Sequence, residues 1–127
     1  MSKLAKIMIV LVALLHLYIA WFGIFAWQAQ GPSTFPDLPP SLFEPTTAMA
    51  ANQGVYNLCL ALGLIWSLCL RDVQWQRKVA SGFLLFVAAA GIFGAWRVSQ
   101  DIALVQAGPA VIGLALLWLP VRKLGRR

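Results

Sequence analysis

The sequence predicts an all-α membrane protein with four transmembrane helices in an up-down-up-down antiparallel bundle, both termini on the same side. Three observations carry that expectation. The 127 residues are 61% hydrophobic and only 11% charged, outside the usual range of soluble globular domains. Charge-free runs recur from Ile7 to Thr34, Thr46 to Leu70, Val79 to Trp96 and Ile102 to Val121. Each reaches the roughly 18 to 20 residues that a helix needs to cross about 30 Å of hydrocarbon. Finally, nine of the ten basic residues fall on one side of the inferred membrane, and only Arg97 on the other. The positive-inside rule then places both termini in the cytoplasm.

The expected spans are residues 6–27, 47–70, 78–97 and 102–120, within a single domain covering 1–127. Lys3 and Lys6 precede the first, as in a signal peptide, but its apolar core from Ile7 to Trp27 is longer than a signal core of roughly 7 to 15 residues. It reads as a retained anchor. An external proline-rich loop, residues 28–46, "QAQGPSTFPDLPPSLFEPT", follows it. This loop is either a plain linker or a lid, and its "SLFE" resembles a capping box. Pro45, Thr46 and Thr47 suit the start of the second helix.

The remaining connections, "RDVQWQRK" and "RVSQD", are short, which makes sequential helices antiparallel neighbours. Trp66, Trp75 and Trp96 lie beside them as an aromatic belt would. The C-terminal "VRKLGRR" is a stop-transfer flank or a contact for anionic headgroups. This distribution of charge by membrane side, with no groove-binding face, argues against nucleic acid as a partner despite the net charge of +6. Cys59 and Cys69 share one helix about 15 Å apart and read as reduced packing residues.

Helical spacing sorts each span into a small or polar side and a bulky side. Membrane helices associate through small residues and interhelical hydrogen bonds, so the first side should face the protein and the second lipid. On the first helix Ala13, His16, Ala20 and Gly23 oppose Ile7, Leu11, Leu14, Tyr18, Phe22 and Phe25. The second places Ala50, Gln53, Gly54, Asn57, Ala61 and Leu64 against Val55, Cys59, Leu62 and Trp66. The third sets Ala88, Gly91, Gly94 and Ala95 against Phe86, Phe93 and Trp96, and the fourth aligns Ala103, Gln106, Ala110 and Gly113.

Counting about 1.5 Å per residue puts His16 and Asn57 near mid-membrane, Gln53 and Gln106 higher, and Asn52, Arg97, Ser99 and Asp101 near the outer rim. A polar pocket opening outward, lined by His16, Gln53, Asn57 and Gln106, would bind or transport a small neutral or amphiphilic molecule. Tyr56 either lines its edge or faces a neighbouring subunit of a homo-oligomer. Arg97 snorkels, pairs with Asp101, or weakly anchors an anion. The competing reading makes the polar cluster interhelical packing in a structural or assembly subunit. A third, weaker reading is an enzyme acting on a lipid or quinone, with His16 as acid or base. A single histidine without intramembrane carboxylates offers no metal site of three or four ligands, and no cofactor is implied.

The segments "ALLHLYI", "AANQGVYN" and "GIFGAWRVSQDIALVQAGPA" resemble the integral-membrane family catalogued as domain of unknown function 1304, over about Lys3 to Leu119. The resemblance implies a small, multi-pass four-helix protein of a bacterial cytoplasmic membrane, and brings no activity with it. The chain departs from that family's pattern at Leu15 and Gly23, where glutamates are usual. Any proton or cation role of those carboxylates does not carry over.

Overall fold

From Lys3 to Gly31 the chain has no proline and a dense run of aliphatic and aromatic residues. A helix satisfies every backbone donor and acceptor of such a segment within the segment itself. The computed structural model, which describes residues 1–97, 100–101 and 103–119, is all-helical. Its elements are α1 (Lys3–Trp21), a π-helical turn (Phe22–Ala26), α2 (Trp27–Thr34), a 3₁₀ turn (Pro40–Leu42), α3 (Thr47–Cys69), α4 (Val73–Arg97), a second π-helical turn (Ala103–Ala107) and α5 (Gly108–Trp118). They make four helices. Three are long and apolar enough to cross a membrane: Lys3–Thr34 (32 residues), Thr47–Cys69 (23) and Val73–Arg97 (25). The fourth, Ala103–Trp118, is apolar but shorter. Ser99, the span boundaries at Ile102 and Pro120, and the basic residues Arg122, Lys123, Arg126 and Arg127 lie outside the described residues.

The first helix runs on to Thr34, well past Trp27, so the connection is shorter than residues 28–46. Polar "QAQGPST" has weak propensity, and three contacts tie it down. The Trp27 indole N–H donates to the Thr46 hydroxyl at 2.9 Å, the Gln28 amide to the Thr47 hydroxyl at 2.8 Å, and the Phe35 N–H to the Gly31 carbonyl at 2.8 Å. Tertiary contact here overrides local preference.

Helix α4 likewise begins inside "RDVQWQRK", because Asp72 acts as its N-cap, accepting the Trp75 N–H at 2.8 Å. One turn on, the buried Gln76 amide donates to the Leu70 carbonyl at 2.6 Å and more weakly to Leu68, satisfying the end of α3.

The chain forms two compact units. One comprises Met1–Val12 and the described residues from Gly63 on. In it α4 buries Ala80, Leu84, Val87, Ala88 and Gly91, and α5 buries Ala110, Gly113 and Leu117. A Cβ at Gly91 would come within 2.8 Å of the Ala107 nitrogen, so this close approach needs glycine. The Trp118 indole donates to Ser81 at 2.9 Å.

The other unit is Ala13–Leu62, containing the rest of the first helix, the connection and most of α3. Burial follows the expected faces. Ala13, His16, Ala20 and Gly23 are buried, and so are Gly54, Ala61 and Leu64. Ile7, Leu11, Leu14, Tyr18, Phe25, Val55, Leu62, Trp66, Phe86, Phe93 and Trp96 are exposed, consistent with a membrane protein. Phe22 is the exception on the bulky side: it is buried because Trp27 and Phe35 pack against its ring.

Candidate functional site

The site is built on a close crossing of the first helix and α3. A Cβ on Gly23 would lie 2.6 Å from the Ala50 carbonyl oxygen and 3.3 Å from the Gly54 Cα. One on Gly54 would lie 2.9 Å from the Ala20 carbonyl oxygen. Two glycines facing one another therefore let the backbones meet.

Beyond that contact, aromatic rings of the first helix and the connection cluster. Phe22 and Trp27 meet edge to face at 5.9 Å, Trp27 and Phe35 lie 6.0 Å apart, and Trp27 and Phe43 5.1 Å apart. Phe43 is almost fully buried, against Gly31, where any side chain would overlap its ring. The connection thus packs its Phe43 ring against the first helix. Beside it lies an open cavity of about 370 Å³ lined by Ile19, Phe22, Gly23, Trp27, Phe35, Leu38, Leu42, Thr46, Met49, Ala50, Gln53, Gly54 and Asn57. From Thr46 to Asn57 the α3 wall extends about 16 Å at 1.5 Å per residue. That volume lies in the range of small-molecule pockets, which are mostly apolar with a few convergent polar groups.

The polar groups collect at one end. His16 Nδ1 lies 2.7 Å from Asn57 Oδ1, and Asn57 Nδ2 donates to the Gln53 carbonyl at 2.8 Å. His16 is fully buried and is not part of the cavity lining, Asn57 is half-buried and Gln53 exposed; the last two belong to the lining, whose surface is almost wholly apolar. Of the residues singled out in the sequence, the structure brings these three together. Tyr56 and Asn52 are exposed on the same helix and do not line the cavity. Gln106, half-buried in the second π turn, and Arg97, exposed with its guanidinium 5.3 Å from the Trp96 ring, belong to the other compact unit. Among the described residues no group of three or more His, Cys, Asp or Glu side chains comes together.

The sequence reading missed Trp27, Phe35, Phe43 and Met49. A signal was present: three aromatic residues flank a proline-rich stretch that, as a solvated linker, has no use for them.

No solved structure matches the chain. The Uncharacterized protein YpaA of Lactococcus lactis subsp. lactis (strain IL1403) is 27% identical over 116 residues, covering 90% of this chain and 96% of its own. Residues 10–118 match the family DUF1304, described as of unknown function, and the chain belongs to that family.

Proposed function

We propose that the chain is a multi-pass protein of a bacterial cytoplasmic membrane, with four spanning helices running up-down-up-down and both termini cytoplasmic. We further propose that its cavity binds a small neutral or amphiphilic molecule. Three long apolar helices, their exposed bulky faces and the one-sided basic residues support the first part. In that frame the cavity opens toward the outer side and reaches toward mid-membrane.

The observation that carries the second part is the cavity of about 370 Å³ whose aromatic and aliphatic wall ends at Gln53 and Asn57. Interhelical packing alone gives no reason for an apolar void of this size between the first helix and α3. Native mass spectrometry of the protein released from nanodiscs, compared with Asn57→Ala, tests it. A co-purifying small molecule that the variant loses supports binding; the absence of any bound species in both contradicts it.

The direct His16–Asn57 bond supports a second reading, in which the polar pair only joins helices. On that reading His16→Ala and Asn57→Ala lower thermal stability and leave the occupancy of the cavity unchanged.

A further inference from the structure

The cavity lies wholly within the unit Ala13–Leu62, and two helices supply its long walls. On the α3 side the wall is Thr46, Met49, Ala50, Gln53, Gly54 and Asn57; on the first helix it is Ile19, Phe22, Gly23 and Trp27. Both sets recur at three- and four-residue spacing, so each is a stripe running along its helix and the cavity is elongated in that direction. Spread over the wall of about 16 Å from Thr46 to Asn57, the volume of about 370 Å³ leaves a cross-section of about 23 Å², a slot about 5 Å wide. Packed carbon atoms lie about 4 Å apart, so the slot admits one extended hydrocarbon chain and not two side by side.

The polar side chains of the wall are already engaged. The Thr46 hydroxyl accepts the Trp27 indole N–H at 2.9 Å and donates to the Leu42 carbonyl at 2.7 Å. The Asn57 oxygen lies 2.7 Å from His16 Nδ1, and its nitrogen donates to the Gln53 carbonyl at 2.8 Å. The surface left facing the cavity is almost wholly apolar, and no lining residue is charged. A polar head drawn inside would lose its water without gaining a partner. An alkyl chain gives up no hydrogen bond there.

We propose that the site takes one linear alkyl chain of about a dozen carbons and leaves the head of that chain outside. An extended chain advances about 1.2 Å per bond, which sets the carbon count for a wall of about 16 Å. The proposal rests on the ligand-binding reading above and adds the shape and chemistry of the part that is bound. In the membrane frame of that reading the slot runs from the outer boundary to mid-membrane, matching the roughly 15 Å of hydrocarbon in one leaflet. The bound chain then lies alongside the lipid tails with its head in the headgroup layer. That chemistry is shared by a single-chain amphiphile and by one tail of a phospholipid.

The full-length protein in nanodiscs is loaded with dodecanol, dodecanoate, dodecyltrimethylammonium, octanol and cyclododecanol at equal mole fractions in the bilayer, and occupancy is read by native mass spectrometry. The three dodecyl compounds should bind saturably and alike, and cyclododecanol, with the same carbons closed into a wider ring, about tenfold more weakly, the scale of overpacking a filled site. Ala50→Leu narrows the slot and should weaken dodecanol by about the same factor, while octanol, short enough to lie beyond the new side chain, loses less; Ala51→Leu, outside the lining, changes neither. The mass of any species released from unsupplemented nanodiscs tells a single-chain amphiphile from a phospholipid. Dodecanol bound tenfold tighter than its two charged counterparts overturns the exclusion of the head. Cyclododecanol bound as tightly as dodecanol overturns the chain-shaped slot but leaves the cavity reading standing, whereas saturable binding of none of the five removes the cavity reading itself.

Discussion

Replacing Gly23 with alanine tests the helix crossing on which the cavity depends. The new methyl would stand 2.6 Å from the Ala50 carbonyl oxygen, a backbone atom with no rotamer to adopt. Reaching an ordinary contact of 3.4 Å requires about 0.8 Å of separation between the first helix and α3. A gap of 0.5–1 Å forfeits roughly a quarter to a half of each dispersion contact along the seam. Overpacking of this kind costs about 1–3 kcal/mol. Gly54→Ala strikes the same contact from the other side, 2.9 Å from the Ala20 carbonyl oxygen and 2.7 Å from the movable Ile24 side chain, and should cost somewhat less. The internal control is Gly82→Ala. Nothing lies within 4 Å of its Cβ position, and alanine's better helix propensity makes it neutral or stabilising by up to about 1 kcal/mol. Unfolding free energies in mixed micelles titrated with sodium dodecyl sulfate supply the comparison. Once either methyl has parted the helices the second finds room, so the Gly23→Ala, Gly54→Ala pair should cost less than the sum of the singles. Equal stability of Gly23→Ala and Gly82→Ala would refute the close crossing.

Three further predictions use the same assay or hydrogen exchange. A double-mutant cycle on His16→Ala and Asn57→Ala should give a coupling of about 0.6 kcal/mol and no more than about 1.7, the average and the maximum for interhelical hydrogen bonds in one membrane protein; zero coupling would contradict the bond. Gly63→Ala overlaps the Phe83 ring, so it should destabilise alone by about 1–3 kcal/mol and be largely rescued by Phe83→Leu, whereas purely additive effects would place Phe83 elsewhere. Gln76→Ala leaves the Leu70 carbonyl without its donor, and should cost about 1 kcal/mol and speed amide exchange around residues 70–76; unchanged exchange would show that the cap is idle.

What could be read in the sequence and what could not divide along physical lines. Helix identity and inward faces were legible because both depend on period and side-chain size: Ala13, His16, Ala20 and Gly23 repeat at helical spacing and are buried together. The meeting of His16 with Asn57 followed from depth counting, since two helices in one bilayer share a ruler of 1.5 Å per residue. Counting gives height and not azimuth, so Gln106, assigned a similar height, fell into the same proposed cluster while the structure places it in the other compact unit. Helix ends were least legible. Thr34 and Val73 bound helices because Trp27, Gln28, Asp72 and Gln76 find partners, and three of those four partners are set by tertiary contact or by the end of the preceding helix. The π turns at Phe22–Ala26 and Ala103–Ala107 have no sequence signature comparable to a proline kink, and Phe22, assigned to the lipid side, is covered by Trp27 and Phe35 and lines the cavity.

The central claim is that a small amphiphile occupies the cavity, and Trp27 reports on it directly because its ring is part of the wall. A variant retaining Trp27 alone, the other five tryptophans replaced by phenylalanine, is titrated in nanodiscs with decanol brominated at the tail end, and its fluorescence is followed. A matched variant retaining only Trp118, exposed on α5, measures the quenching that comes from partition into lipid. Binding in the cavity predicts saturable quenching of Trp27, reversed by unbrominated decanol, and unsaturable quenching of Trp118. Equal, unsaturable quenching of both would contradict it.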